Sequence, residues 1–96
     1  ETVPIERLAD TGFTNYLEST PDAVRARALA IANNIVDAAP LSVKAAKASV
    51  LAGMDLGCAA GLIEAQRLHI DVYASLDAIE GPRAFAEKRK PIWQGK

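Results

Sequence analysis

Apolar residues recur at helical spacing along most of the chain, and the breaks in that spacing divide it into segments. From Thr20 onward, Val24, Ala28, Ile31 and Ile35 form one stripe, with Arg25, Arg27, Asn33 and Asn34 mostly off it. Thr20 suits an N-cap, Pro21 the first helical position and Asp22 the positive helix end, so the spacing predicts a helix that Pro40 closes after Ala39. A second helix is expected from about Pro40, with Leu41, Ala45, Ala48 and Ala52 on one face, stopping near Gly53. The link Gly53-Met54-Asp55 is short, so the next helix must turn back and pack nearby. Asp55 is a fitting cap for that third and longest helix, from about Leu56 to about Ser75. Its apolar positions form two stripes, Leu62, Ala65, His69, Val72 and Leu76 on one and Ile63, Ile70 and Tyr73 on the other. A helix apolar on both sides is buried between layers or faces a partner.

The two ends are less regular. Pro4 biases Val3 towards an extended conformation, Ile5 to Asp10 makes one helical turn, and Thr11-Gly12 ends it. Phe13, Tyr16 and Leu17 follow no period and read as a loop or a short helix. Residues 1–19 are therefore taken as a linker or insertion with room for a short helix, and residues 20–96 as a helical domain. At the far end, Gly81-Pro82 reads as a break and restart, with Gly81 as N-cap and Pro82 in the first position of a short amphipathic helix around Phe85. Lys88, Arg89 and Lys90 would complement the negative end of its dipole before Pro91 stops it. A helix of two turns does not survive alone in water, so this tail must dock on something. The expected fold class is all-α, three main helices plus a short C-terminal helix, with no strand signal and no internal repeat.

Composition sharpens this picture. Nineteen alanines against five aromatic residues give tightly packed helices that bury little apolar area each and need outside help. With 11 Lys+Arg and 12 Asp+Glu the net charge is −1, which argues against a general nucleic-acid or membrane-surface role. The distribution is uneven, however. Residues 1–22 hold Glu1, Glu6, Asp10, Glu18 and Asp22 against Arg7, whereas residues 83–96 hold Arg83, Lys88, Arg89, Lys90 and Lys96 against Glu87. That basic tail is where an anionic ligand would sit. No apolar run approaches the ~20 residues that span a bilayer, and Glu1 heads no signal-like segment. A lone Cys58 forms no internal disulfide and points to a reducing compartment, here taken as cytoplasmic.

Individual residues offer little chemistry. His69, the single histidine, reads first as a packing residue and second as a functional group. Cys58 has no His partner nearby and no C-x-x-C, so it reads as a small hydrophobe, and one His plus one Cys fall short of a metal site. Gly53, Gly57 and Gly61, four apart, fit close helix packing better than a phosphate loop. Asp77 and Glu80 read as a capping box rather than as paired catalytic carboxylates. Lys88 to Lys90 either bind phosphate or form a solvated helix end, and Trp93 after Pro91 reads as an anchor for the terminus. No catalytic apparatus is visible.

The order Ser75, Asp77, Glu80, Gly81, Ala84, Phe85, Glu87, Lys88, Arg89, Pro91 closely resembles the C-terminal end of the crotonase superfamily, the enoyl-CoA hydratases and isomerases. The resemblance extends through Ala28-Leu29-Ala30-Ile31-Ala32 and Ala39-Pro40-Leu41-Ser42-Val43 to Lys47, and back to Val3-Pro4. Thr11 to Ser19 looks like an insertion relative to that pattern. The resemblance implies the helical C-terminal trimerisation domain of an α/β enzyme, with the spiral core that carries the oxyanion hole and acid/base glutamates absent from these residues. It further implies a CoA thioester as substrate, with coenzyme A as part of that substrate and no separate cofactor. Lys88 is then the phosphate-contact candidate. His69 stands where some relatives present an aromatic ring to adenine, with Tyr73, one turn on, as its substitute.

The leading expectation is thus the C-terminal part of an enoyl-CoA hydratase of fatty acid metabolism, catalytically incomplete by itself. Its expected partners are an acyl-CoA, the N-terminal core domain and further copies of itself as a trimer or dimer of trimers. Isomerase, hydrolase and dehalogenase relatives share the tail motif, so the reaction is not read from it. The alternatives are a non-catalytic helical self-association module and a four-helix regulatory domain unrelated to CoA.

Overall fold

The computed structural model describes residues 2–96, which fall into two compact units, one ending at Asn34 and the other running Ile35–Lys96. Every regular element is helical, and no strand occurs among the described residues. In the first unit a 3-10 helix spans Ile5–Thr11 and ends at Gly12, whose φ of 77° is one that glycine adopts without a Cβ penalty. The loop that follows carries Phe13, Tyr16 and Leu17, all exposed. Helix α1, Pro21–Val36, begins as its sequence suggests, with Thr20 Oγ1 accepting the Ala23 N–H at 3.2 Å. It stops at Val36, short of Pro40, and Ala39, the residue before the proline, is out of the helical region with a ψ of 118°. Arg27 joins the loop to this helix, pairing with Glu18 at 2.7 Å and lying 5.1 Å over the Tyr16 ring.

In the second unit, α2 (Pro40–Leu56) and α3 (Cys58–Tyr73) pack along one another. The expected link at Gly53-Met54-Asp55 lies inside α2, and Asp55 caps nothing. The chain reverses instead at Gly57, whose φ of 79° and ψ of 169° belong to a region that is essentially glycine-only. Gly53 and Gly61 stand four residues either side of that reversal and meet across the two helices. A Cβ placed on Gly61 would lie 2.5 Å from the Gly53 Cα. Glycine costs helix propensity at both positions, and close backbone approach offsets the loss at Gly61.

Helix α4, Leu76–Ala86, corrects the expected break at Gly81-Pro82. Both residues lie inside it, and Ser75 is the true N-cap, its Oγ accepting the Ala78 N–H at 3.1 Å and donating to the Val72 carbonyl at 2.6 Å. Pro82 removes one N–H from the helical ladder, yet the helix continues past it to Ala86. The capping-box reading of Asp77 and Glu80 is also corrected, since neither carboxylate turns back onto the N-cap. Lys88, Arg89 and Lys90 lie past the helix end and not in its last turn, which holds Arg83 alone among cations.

The buried core is small. Among the described residues, Ala45 and Ala84 are its apolar members, and no large side chain is fully enclosed. Leu62, Ile63, Ile70 and Tyr73 on α3 and Ile79 and Phe85 on α4 face outward, Phe85 at 87% exposure.

Candidate functional site

Two of the sequence-predicted site residues share one place. His69 and Tyr73, one turn apart on α3, line an open groove with Ala65 and Gln66. Their ring centroids lie 6.3 Å apart with planes tilted by 41°. His69 Nδ1 is 2.8 Å from the Ala65 carbonyl oxygen. A carbonyl only accepts, so Nδ1 carries the proton and donates; in the neutral ring Nε2 is then the acceptor.

Lys88 stands elsewhere, beyond the end of α4, and is not among the residues lining that groove. Helix α4 closes in a Schellman arrangement, in which the Arg89 N–H bonds the Ala84 carbonyl at 3.0 Å and the Lys88 N–H bonds that of Phe85 at 3.1 Å. Lys88 occupies the left-handed position of this motif with a φ of 53°. Among the described residues it is the one non-glycine with positive φ.

The charges around Lys88 are partnered in a set that the sequence reading missed. Arg89 grips Glu80 with both terminal nitrogens, at 2.5 and 3.0 Å, and gives its Nε to Glu87 at 2.6 Å. Arg83 reaches the other oxygen of Glu87 at 2.9 Å. Glu80 also accepts the Ile92 N–H at 2.8 Å. These bonds favour the ionised forms: Arg89 first and the Ile92 N–H second pull the Glu80 carboxyl down to about 2. Arg89 and then Arg83 lower Glu87, while Glu80 and then Glu87 raise Arg89. Lys90 lies 3.6 Å from Asp37. Of the three consecutive cations, Lys88 alone makes no ion pair among the described residues, and its side chain is exposed.

Beyond Pro91 the chain folds back onto α4. Asp77, 4% exposed, accepts the N–H groups of Gln94 at 2.7 Å and Gly95 at 2.9 Å. The Leu76 N–H, an unpaired donor of the first helical turn, bonds the Lys96 carbonyl at 2.8 Å. Trp93 is the anchor its position suggests: its ring lies over Gly81, where an added Cβ would approach to 3.3 Å, and its Nε1 donates to the Asp37 carbonyl at 2.9 Å. Glu80 and Arg89 are nine residues apart across a proline, and Asp77 and Gly95 eighteen, so no periodicity marks either pair.

Cys58 is exposed. No group of three or more His, Cys, Asp or Glu suited to a metal occurs among the described residues, and no described helix is long and apolar enough to cross a membrane.

Comparison with known proteins gives a consistent result. The family model described as enoyl-CoA hydratase/isomerase matches residues 2–96. The "Probable enoyl-CoA hydratase 2, mitochondrial" of Arabidopsis thaliana is 32% identical over 87 residues, covering 91% of this chain and 29% of the relative. The "Carnitinyl-CoA dehydratase" of Citrobacter koseri is 37% identical over 89 residues, covering 88% of this chain and 34% of the relative. The crystal structure of an enoyl-CoA hydratase from Mycobacterium tuberculosis H37Rv superposes with a TM-score of 0.88 at 34% identity, over 98% of this chain and 37% of that one. The chain therefore spans about a third of the length of each, and its helices match the C-terminal helical region of these larger proteins.

Proposed function

The chain belongs to the enoyl-CoA hydratase/isomerase family, and we propose that it is the part of an acyl-CoA-processing enzyme that holds the CoA portion of the thioester and joins subunits. The observation that carries the first half is Lys88, the one cation of its run left exposed and unpaired at a turn that favours glycine. An ammonium so placed binds phosphate by charge-assisted hydrogen bonds. His69 Nε2 offers an acceptor for an adenine amino group, and Tyr73 a ring face beside it. The acid/base groups of the reaction lie outside these residues in this reading, and hydration of a 2-enoyl-CoA is the favoured chemistry. Coenzyme A enters as part of the substrate, with no further cofactor. A cytoplasmic setting belongs to the same reading, resting on the single cysteine; fractionation against a mitochondrial marker tests it.

The test is Lys88→Ala in the intact enzyme. KM for crotonyl-CoA should rise several-fold with a smaller loss in kcat, the pattern of lost binding rather than lost chemistry. An unchanged KM at low salt would remove Lys88 from the site.

The second half rests on exposed apolar side chains. Leu62, Ile63, Ile70, Tyr73, Ile79 and Phe85 face outward from α3 and α4, more than an isolated small domain ordinarily leaves in water. We assign them to contacts with the rest of the enzyme and with further copies, as a trimer or a dimer of trimers. The same observation supports a second reading, a non-catalytic helical self-association module. Analytical ultracentrifugation combined with coenzyme A titration separates the two, since that module oligomerises without binding coenzyme A.

A further inference from the structure

We infer that Glu80 and Arg89 are positioning residues for Lys88, setting the left-handed turn from which its ammonium is presented to the phosphates of coenzyme A; this rests on the CoA reading given above. Three observations lead there.

Lysine is a poor choice for the position it fills. With a φ of 53° at the Schellman turn, Lys88 occupies a site where glycine fits freely and a Cβ is disfavoured.

The residues on either side of Lys88 are both fixed. Glu87 is held by Arg83 and Arg89, and Arg89 by Glu80 and Glu87, by the bond of its N–H to Ala84, and by its Nη1 bond to the Lys90 carbonyl at 3.1 Å. The middle residue of this trio is the one with a free charge. Two oxygens of Glu80 meet two nitrogens of one guanidinium, a fork that fixes direction as well as distance and that a lysine cannot reproduce.

The terminus does not depend on this clamp alone. Asp77 holds Gln94 and Gly95, Leu76 holds Lys96, and Trp93 is seated on Gly81 and Asp37. Beyond its bond to Ile92, what the Glu80–Arg89 pair adds is the geometry of residues 87–89.

The experiment is a double-mutant cycle in the intact protein, with the Kd for coenzyme A read by calorimetry. It compares wild type, Arg89→Lys, Lys88→Ala and the double variant. Lys88→Ala should weaken binding about tenfold, the equivalent of one charge-assisted bond. Arg89→Lys should weaken it about three- to tenfold by itself and less than twofold in the Lys88→Ala background, because a positioning residue has nothing left to position. Equal losses in both backgrounds, or no loss from Arg89→Lys, would overturn the inference while leaving Lys88 in the site. No loss from Lys88→Ala would remove Lys88 from the CoA site and the inference with it. Should Arg89→Lys not fold, Glu80→Gln replaces it in the same cycle, since its amide oxygen keeps the bond to the Ile92 N–H.

Discussion

Gly61 faces Gly53 so closely that a Cβ on Gly61 would stand 2.5 Å from the Gly53 Cα and 2.9 Å from its nitrogen. The contact lets α2 and α3 approach backbone to backbone, the kind of packing that an alanine-rich chain with few large side chains can use.

The two glycines should respond differently to substitution. Gly61→Ala forces the backbones apart and should cost about 1–3 kcal/mol, the ordinary range for overpacking. Gly53→Ala meets nothing within 4 Å and should be neutral or stabilise by up to about 1 kcal/mol through helix propensity. Thermal unfolding of both variants in the intact protein checks this; equal losses would contradict it.

Asp77 is the receptor for the chain's last residues. Asp77→Ala leaves the Gln94 and Gly95 N–H groups without their carboxylate and should cost about 2–3 kcal/mol. Trp93 is the single tryptophan, so a red shift of its emission together with faster proteolysis after Pro91 would report release of the tail. Emission unchanged from wild type would mean that Trp93 seats itself without Asp77.

The Glu80 clamp has a defined acid limit. Its carboxyl is lowered from 4.5 to about 2, chiefly by Arg89, so ionised Glu80 favours the folded state. The stabilisation is present above about pH 4.5 and is lost as pH falls through about 2, below which folded and unfolded carboxyls are both protonated. The stability difference between wild type and Glu80→Gln, measured by urea unfolding, should therefore shrink across that window. A difference that stayed constant would show that Glu80 does not act through its charge.

Lys88→Gly should separate stability from binding. Removing the Cβ from a left-handed position should raise stability by about 1 kcal/mol, while loss of the ammonium lowers affinity for coenzyme A. Differential scanning calorimetry and a coenzyme A titration on the same sample give both numbers. A variant no more stable than wild type would show that the turn carries no strain.

Residues that act on their near neighbours were legible in the sequence. The Thr20 cap, Pro21 and Pro40 at helix starts, the all-helical class and the anchoring role of Trp93 all appear in the structure. The family was legible in the run from Ser75 to Pro91, and the match over residues 2–96 shows it. Glycine and proline misled the reading within the longer helices. Gly53 reads both as a helix stop and, with Gly61, as a close-packing residue; the packing holds and the stop does not, since Gly57, four residues on, makes the reversal. Gly81-Pro82 looks like a restart, yet Gly81 is small to seat the Trp93 ring and Pro82 rides inside α4.

The sequence by itself determined the helical elements, because helix formation depends on spacing, caps and propensity over a few residues. Only the tertiary structure decided what each special residue is for. Whether Asp77 caps its own helix or holds Gly95, and whether Arg89 complements a dipole or grips Glu80, depends on where a tail many residues away comes to rest. A carboxylate bonds whichever N–H or cation the fold brings within about 3 Å, and sequence spacing carries no record of that meeting.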